Sequence, residues 1–407
     1  MFLIHDKAEL LPFCGNFWTC MSQVKISTRG AKRIRNGHLW VYRSDVRELH
    51  EAEGGAIVRV VDDASNFVGR AFYSDASEIA LRFLTTREET IDREWWRSRL
   101  QRCAQLRGGI AQETNAYRLV YSEGDLLSSL IVDVYDEVMV MQNLSQGSER
   151  VKSDLVELLS EEFSPRAIVE RNDARVRGLE GLELRTGHLY GGAPDQIEIN
   201  QHGVRFLVSP LGGQKTGAFL DQRENYLAAR SVAHGRALDC FTFNGGFALH
   251  IAPSCASVVA IDISDEAITA AQRNAELNEV GNIEFDTANV FDALREMEAG
   301  GERFDTIVLD PPAFAKNRTT IKSAARGYKE INLRALKLLN PGGVLVTCTC
   351  SYHISEELFL EIIEDAALDA RRRLQIIAKR GQSTDHPVLL GVPETHYLKC
   401  VIARVVE

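Results

Sequence analysis

Several features are missing from this sequence, and each absence excludes a class of protein. Charged residues interrupt the apolar stretches well before the length that spans a bilayer, and no signal-peptide pattern is present. We therefore expect a cytoplasmic protein without a membrane partner. The eight cysteines include no C-x-x-C pair, the spacing of zinc and dithiol sites, so no metal is expected. Low-complexity tracts and fixed-period repeats are also missing, so the whole chain can fold.

The charge of the chain is unevenly distributed. The net charge is −10, which is unfavourable for a protein that binds nucleic acid, because phosphate binding depends on Lys and Arg. One segment is nevertheless basic, with the single acid Asp45 set against seven cations: Lys25, Arg29, Lys32, Arg33, Arg35, Arg43 and Arg47. This segment predicts an RNA-binding face in which the first five cations contact phosphates. A solvated charged surface is the alternative interpretation.

With 407 residues, the chain is expected to form two or three domains. The apolar patterns predict three domains: a small β domain at 21–88, an α+β middle domain at 89–198 and an α/β domain at 199–407. Residues 1–20 show no clear periodic pattern and are expected to be a non-essential extension. Within the middle region they predict a helix at 88–107, a hairpin at 129–134 and 137–142, a helix at 148–162, a strand at 167–170 and a closing loop at 187–195.

Beyond residue 200, strands alternate with helices, a pattern typical of a parallel sheet with helices on both faces. The predicted strands lie at 236–240, 257–262, 283–285, 304–310 and 343–348, and a helix is predicted at 265–278. The predicted fold class of this domain is therefore α/β and Rossmann-like.

Ligands of open α/β sheets bind beyond the carboxyl ends of the strands. The first strand is followed there by Asp239, Phe241 and the pair Gly245-Gly246, and the second strand ends at Asp262. A carboxylate such as Asp262 can bind both hydroxyls of an adenosine ribose. The glycines do not form the G-x-G-x-x-G pattern that cradles a pyrophosphate, and Asp239 favours a cation. S-adenosylmethionine (SAM) is therefore predicted as the cofactor in preference to NAD.

The fourth and fifth strands end in residues suited to chemistry on a base. Two prolines hold Asp310 in a stiff loop, where its carboxylate can accept the exocyclic amine of a flipped base. Cys350 is expected at the same edge of the sheet. A thiolate there could add to C6 of cytosine, which turns C5 into a nucleophile. Cys348, two residues earlier on the strand, is expected to lie in the core.

Distinctive motifs occur at 32–42, 215–223, 239–246, 310–312, 326–329, 350–351 and 385–387. Together they resemble the bacterial large-subunit 23S ribosomal RNA 5-methylcytosine methyltransferases that carry an N-terminal PUA domain. The resemblance covers nearly the whole chain from Met21.

The resemblance implies a PUA-like domain at 21–88, a methyltransferase domain at 199–407 and C5 methylation of a cytosine in 23S rRNA. Cys350 would be the nucleophile and Asp310 would orient the cytosine. The resemblance adds cofactor contacts at Lys215, Phe219, Asp221, Arg223 and Asn289. The partner would be 23S rRNA or a large-subunit assembly intermediate, and a homodimer is one candidate assembly.

Two other functions remain open at this stage. An N-methyltransferase acting on a purine of rRNA could use Asp-Pro-Pro with a stacking aromatic such as Phe314, but would need no cysteine. A non-catalytic RNA-binding ribosome-assembly factor could keep the fold without the reaction. Ala313 stands where two-cysteine RNA methyltransferases place their second cysteine, which excludes that branch and leaves the base that removes the C5 proton unidentified.

Overall fold

The computed structural model describes residues 22–212, 217–315 and 317–406, and the strands of this part form four sheets. The predicted extension at 1–20 and the predicted cofactor contact Lys215 lie outside the described residues. No helix in the described ranges is long and apolar enough to cross a membrane.

The N-terminal domain is a β-sheet with one helix packed against it. Its elements are β1 (Gln23–Ile26), α1 (Thr28–Arg35), β2 (Trp40–Tyr42), β3 (Val46–His50), β4 (Ile57–Val61), β5 (Phe67–Tyr73) and β6 (Ile79–Thr85). The strands lie in the order β2-β6-β5-β4-β1-β3. Helix α1 begins where the Ser27 hydroxyl accepts the Gly30 amide at 3.1 Å. Its buried face, with Ala31 and Ile34, covers the core of this sheet.

The middle region forms a five-stranded sheet covered by helices. Its elements are α2 (Arg93–Arg107), α3 (Ile110–Glu113), β7 (Ala116–Tyr121), β8 (Leu130–Tyr135), β9 (Val138–Asn143), α4 (Gln146–Arg150), α5 (Lys152–Phe163), β10 (Ala167–Asn172) and β11 (Arg185–Gly191). The predicted hairpin is present as the antiparallel pair β8 and β9. The buried rings of Trp95 and Trp96 pack in the core between α2, α5 and the sheet.

The predicted loop at 187–195 is wrong over its first half, because β11 is an antiparallel edge strand of this sheet. Most of its side chains are exposed, so the strand shows no apolar alternation that could have identified it. A two-stranded hairpin follows, formed by β12 (Ile197–Gln201) and β13 (Val204–Val208). The hairpin contacts both neighbouring regions: Gln201 pairs with Thr114, and the Leu207 amide donates to Asn274 at 2.9 Å. The predicted division at 198–199 therefore falls within β12.

The C-terminal domain contains a seven-stranded sheet. Its elements are α6 (Arg223–Arg230), β14 (Arg236–Cys240), α7 (Gly246–Ile251), β15 (Ser257–Asp262), α8 (Asp265–Leu277), β16 (Ile283–Thr287), α9 (Val290–Ala299), β17 (Phe304–Leu309), α10 (Ile321–Leu338), β18 (Leu339–Thr349), α11 (Glu356–Ala370), β19 (Leu374–Arg380) and β20 (Lys399–Val405).

The sheet order is β16-β15-β14-β17-β18-β20-β19, and the first five strands are parallel. This arrangement confirms the predicted Rossmann-like class. Strands β19 and β20, which the sequence analysis did not predict, extend the sheet in antiparallel orientation. The strand order reverses between β14 and β17, so a crevice opens beyond their carboxyl ends.

Candidate active site

A cavity of about 390 Å³ lies at this crevice. The structure brings eight of the predicted site residues into its wall: Phe219, Asp221, Phe241, Gly246, Asp262, Asn289, Asp310 and Cys350. Its volume lies in the range of pockets that hold small molecules. The cavity is therefore the candidate site for both cofactor and reacting base.

Asp239 lies beneath this cavity and was predicted to contact the cofactor. Its Oδ2 atom accepts the Thr242 hydroxyl at 2.6 Å and the Ala248 amide at 2.9 Å. Its Oδ1 atom is buried and has no hydrogen-bond partner among the described residues. Burial raises the pKa of Asp239 to about 7, despite the two hydrogen bonds that favour its charged form. A cationic ligand group near Oδ1 would offset this burial.

Gly245 does not line the cavity, contrary to prediction. Its φ of 88° is left-handed, a conformation that glycine adopts without strain, and it turns the chain into α7. Gly246 follows at the cavity wall, and a Cβ atom there would lie 2.6 Å from the Tyr226 hydroxyl. The two glycines therefore have different roles, of which only the second concerns the cavity directly.

Asp262 lies at the end of β15, as predicted. Its two oxygens accept the backbone amides of Phe243 and Ser264, each at 3.0 Å, which fixes the orientation of the carboxylate. Each oxygen keeps a second lone pair for a ligand hydroxyl. The next residue, Ile263, is 69% exposed and lines the same cavity, so it offers an apolar surface to a flat ring.

Asn289 also lines the cavity and is the N-cap residue of α9. Its Oδ1 atom accepts the Phe291 amide at 2.9 Å and so caps α9. A contact between this amide and a ligand would have to share the capping oxygen or use the amide nitrogen.

The wall opposite Asp262 is built from the segment before α6. Asp221 is buried and accepts the Tyr397 hydroxyl at 2.5 Å. Phe219 packs edge-to-face against Phe243, with ring centroids 4.9 Å apart. Gln222, which the sequence analysis did not single out, donates to Asp310 Oδ1 at 2.9 Å and thereby orients that carboxylate.

The predicted cofactor contact Arg223 does not reach the cavity. Its side chain is 1% exposed and donates to Asp385 Oδ2 at 2.9 Å. The first turn of α6 directs Arg223 away from Asp221 and toward the segment between β19 and β20. Its role in the described structure is an internal ion pair.

Cys350 and the Asp-Pro-Pro loop lie side by side, as predicted. Cys350 Sγ is 4.0 Å from the Pro311 carbonyl oxygen. Ser351 fixes the adjoining backbone, since its hydroxyl accepts the Ala315 amide at 3.1 Å and lies 2.9 Å from the Tyr328 hydroxyl. Cys348 is fully buried opposite Cys400 in the sheet, which agrees with its predicted place in the core.

Lys399 is a site residue that the sequence analysis missed. It is 4% exposed at the start of β20, and its Nζ atom donates to the carbonyl oxygens of Tyr397 at 3.1 Å and Ser351 at 3.4 Å. Burial lowers the pKa of Lys399, and attraction to a Cys350 thiolate opposes that shift. A buried cation therefore accompanies the candidate nucleophile.

The predicted RNA-binding face on the N-terminal domain is less positive than its sequence suggests. Three of its cations pair with acids: Lys25 with Glu48 at 3.2 Å, Arg29 with Asp45, the acid within the segment, at 2.8 Å and Arg35 with Asp62 at 2.6 Å. Arg33 lies over the ring of Tyr42, 4.7 Å from its centroid. Lys32 is exposed and makes no ion pair with another described residue.

Comparison with known proteins adds to this geometry. Residues 24–86 match the PUA-like domain family, and residues 184–387 match the S-adenosylmethionine-dependent methyltransferase family. The ribosomal RNA large subunit methyltransferase I of Klebsiella pneumoniae is 39% identical to this chain, with 92% of this chain and 96% of that protein covered. The enzyme of the same name from an Enterobacter species is 38% identical, with 95% and 100% covered.

Solved structures share the fold across all domains. A methyltransferase crystallised with S-adenosylhomocysteine superposes with a TM-score of 0.82 at 19% identity, covering 95% of this chain and 100% of that chain. A SAM-dependent methyltransferase from Streptococcus mutans gives a TM-score of 0.81 at the same 19% identity and the same coverage. The comparisons confirm the predicted PUA-like domain and the predicted SAM cofactor.

Proposed function

From the premise that this chain belongs to the family of ribosomal RNA large subunit methyltransferase I, we propose that it methylates C5 of a cytosine in 23S rRNA. The proposed route passes through a covalent bond between Cys350 and C6 of that cytosine. The observation that carries the proposal is the presence of Cys350 and Asp310 in the wall of one cavity. A ribosomal substrate also supports the cytoplasmic location expected from the sequence. The homodimer stays a prediction.

The residues of the cavity fit SAM. Asp262 would bind the ribose hydroxyls, with Ile263 against the adenine ring. The buried carboxylates Asp221 and Asp239 would face the cationic groups of SAM, its ammonium and its sulfonium. When bound, SAM supplies an electrophilic methyl group on a sulfonium.

The proposed reaction begins when the Cys350 thiolate adds to C6 of the cytosine. C5 of the resulting enamine would be the nucleophile for the methyl group, and the electron pair of the broken carbon–sulfur bond would stay on sulfur. Loss of the C5 proton to a base then restores the double bond and expels the thiolate. Asp310, held by Gln222, would accept the exocyclic amine of the cytosine. The Lys399 ammonium would stabilise the thiolate before addition and after its expulsion.

Purine N-methylation has less support in this cavity. A stacking aromatic after the two prolines would need a ring face open to the base. Phe314 lines the cavity, but its ring also packs against three protein rings, with centroid distances of 4.7 Å to Tyr328, 6.0 Å to Phe291 and 6.5 Å to Phe241. A non-catalytic role would not explain why the Cys350 thiol, the Asp310 carboxylate and the buried Lys399 ammonium lie close together.

A trapping experiment tests the proposed mechanism. RNA carrying 5-fluorocytosine should form an adduct with the native enzyme that persists in denaturant, because fluorine cannot leave C5 as a proton does. Cys350→Ala should abolish both turnover and adduct while SAM binding survives, since the adenosine contacts lie on other strands. The matched control, Cys348→Ala, removes a neighbouring thiol and should still form the adduct. An active Cys350→Ala enzyme, or methyl label on a purine, would contradict the cytosine assignment.

We further propose that the face on α1 contributes to RNA affinity. Replacing Lys32, Arg33 and Arg35 by Glu should weaken RNA binding and flatten its dependence on salt, because fewer counterions are released. SAM affinity should not change, since this face lies outside the C-terminal domain. RNA binding that is unchanged at both low and high salt would contradict the assignment.

A further inference from the structure

A second cavity, of about 560 Å³, lies where the N-terminal domain meets the middle region. We call it the arginine groove. It is bounded by the end of β6, one face of α2 and the loops at Leu39 and Leu126. Its charged wall consists of Arg87, Arg99, Arg102 and Glu89, and its apolar floor includes Phe83 and Trp95.

The groove has an excess of positive charge. Glu89 is its single acid, and the Glu89 carboxylate lies 4.0 Å from Arg99. Arg87 and Arg102 are exposed and make no ion pair or side-chain hydrogen bond with another described residue. Burial lowers the pKa of Arg99, and repulsion from Arg102 and Arg87 adds to this lowering against the attraction of Glu89. Arg99 therefore lies close enough to Arg87 and Arg102 in the groove wall to be repelled by both, and a bound anion would offset that repulsion.

The other face of α2, which packs toward α5, has no such excess of positive charge among the described residues. Arg93 pairs there with Glu157 at 3.1 Å and with Glu161 at 2.6 Å. Arg97 pairs with three acids, Glu94, Glu161 and Glu162, at 2.7 to 2.9 Å. The cations that face α5 are thus matched by acids within the protein, whereas the groove has one acid, Glu89, for three guanidinium groups.

The groove also holds one guanidinium in a fixed orientation. Arg99 lies over the Trp95 ring, 4.8 Å from its centroid, and the Trp95 indole nitrogen donates to Glu89 at 3.2 Å. Proteins that bind unpaired RNA stack bases on aromatic rings or on guanidinium planes held in this way. Trp95 is only 8% exposed, so the guanidinium of Arg99, rather than the indole, is the surface a base would meet.

The position of the groove favours RNA over a small anion. Leu39, in its wall, belongs to the N-terminal domain that also carries the predicted RNA-binding face, so one RNA could contact both. The junction is held by a hydrogen bond of 3.0 Å from the Trp40 indole nitrogen to Glu123. An RNA strand in the groove would therefore contact the N-terminal domain and the middle region together.

We propose that the arginine groove binds the backbone of an unpaired segment of the RNA substrate, with phosphates on Arg87 and Arg102 and a base against Arg99. This inference rests on the proposed function, because it takes RNA as the substrate. It assigns a binding role to residues outside both the cavity of Cys350 and the face on α1.

The test compares two double variants of one helix and its preceding loop. Arg87→Gln with Arg102→Gln removes two groove cations, whereas Arg93→Gln with Arg97→Gln removes two matched cations and changes the net charge equally. Binding of a single-stranded RNA oligonucleotide, followed by fluorescence anisotropy, should weaken about tenfold for the groove variant only. The slope of log affinity against log salt should fall by about 1.4, since each contact to single-stranded RNA contributes about 0.7.

Enzyme kinetics provide the second measurement. The groove variant should raise KM for the RNA and leave kcat and SAM affinity unchanged, because the groove lies apart from the reacting groups. Equal effects of the two double variants, or an unchanged salt slope, would overturn the groove assignment. If the groove variant lost more affinity for duplex RNA than for single-stranded RNA, the proposal that the groove binds an unpaired segment would be wrong. If the native enzyme methylates no RNA, the proposed function fails instead, and that result is separate from these.

Discussion

The strongest stability prediction concerns Asp385, whose carboxylate joins three parts of the molecule. Oδ2 accepts from Arg223 on α6 and from the Arg118 amide on β7, each at 2.9 Å, and Oδ1 lies 2.9 Å from His386 Nδ1. The Asp385 carbonyl oxygen also accepts from Arg107 at 2.8 Å. Asp385 is fully buried. All contacts of its carboxylate are with donors, so an NH₂ group would oppose two donors at Oδ2 or the one donor at Oδ1.

Asp385→Asn is therefore expected to lower the free energy of unfolding by about 3–5 kcal/mol, the cost of removing one partner from a buried ion pair. In the variant the Arg223 guanidinium would stay buried, at 1% exposure, without the charged carboxylate of Asp385 that pairs with it in the native protein. The matched control is Glu302→Gln. Glu302 pairs with Arg236 at 2.7 Å, but their side chains are 37% and 43% exposed, so we expect a loss below about 1 kcal/mol. Urea unfolding followed by circular dichroism measures both losses.

The pH dependence of this loss is a further check. Burial would raise the pKa of Asp385, but His386, Arg223 and the Arg118 amide outweigh it and hold the pKa below its ordinary value. A depressed folded pKa means that the stabilisation is complete above the unfolded pKa of about 3.9 and is lost as the pH falls below it. The native protein and Asp385→Asn should thus differ by a constant amount from neutral pH to about pH 4, then converge. A loss no greater than that of Glu302→Gln would refute the reasoning.

The remaining predictions concern the active site. Lys399→Met should shift the acidic limb of the methylation rate profile to higher pH, because the Cys350 thiolate loses its cation; an unchanged profile would show that Lys399 has no effect on the thiol. SAM affinity of the native enzyme, measured by calorimetry, should rise as the pH passes about 7, because the raised pKa of Asp239 leaves part of it neutral below that point. Asp239→Asn should abolish this rise in SAM affinity; a rise that persists in the variant would point to another group. Without ligand, the variant should be more stable than the native protein above about pH 4, because burying the charged carboxylate costs free energy there.

The sequence was sufficient for the fold class and for one side of the active site. Parallel strands place their carboxyl ends at one edge of a sheet, so Asp262, Asp310 and Cys350 could be brought together from strand patterns alone. Asp239 was foreseen near the cofactor for the same reason. Its burial beneath the cavity wall depends on how α7 packs, which strand patterns do not determine.

Predictions based on neighbourhood in the sequence were less successful. Arg223 follows Phe219 and Asp221 closely, but the start of α6 turns its side chain to the opposite side. The count of the basic run ended at Arg47 and included only Asp45. Glu48, the next residue, meets Lys25 across the pair of β1 and β3, and Asp62, just beyond β4, meets Arg35. The charge of a surface is set by residues that meet in space, and a local count omits those that arrive from elsewhere.

The other side of the active site comes from outside the predicted strand–helix repeat. Gln222, which orients Asp310, precedes α6, and Lys399, which accompanies Cys350, begins the antiparallel strand β20. Both segments meet again away from the cavity, where the Ser383 amide donates to the Asp221 carbonyl oxygen at 2.8 Å. The same contact region contains the ion pair of Arg223 and Asp385. The central strands therefore carry the proposed reacting groups, Asp310 and Cys350. The two flanking segments, which a buried ion pair joins, carry Gln222 and Lys399, the groups proposed to orient the carboxylate and to stabilise the thiolate.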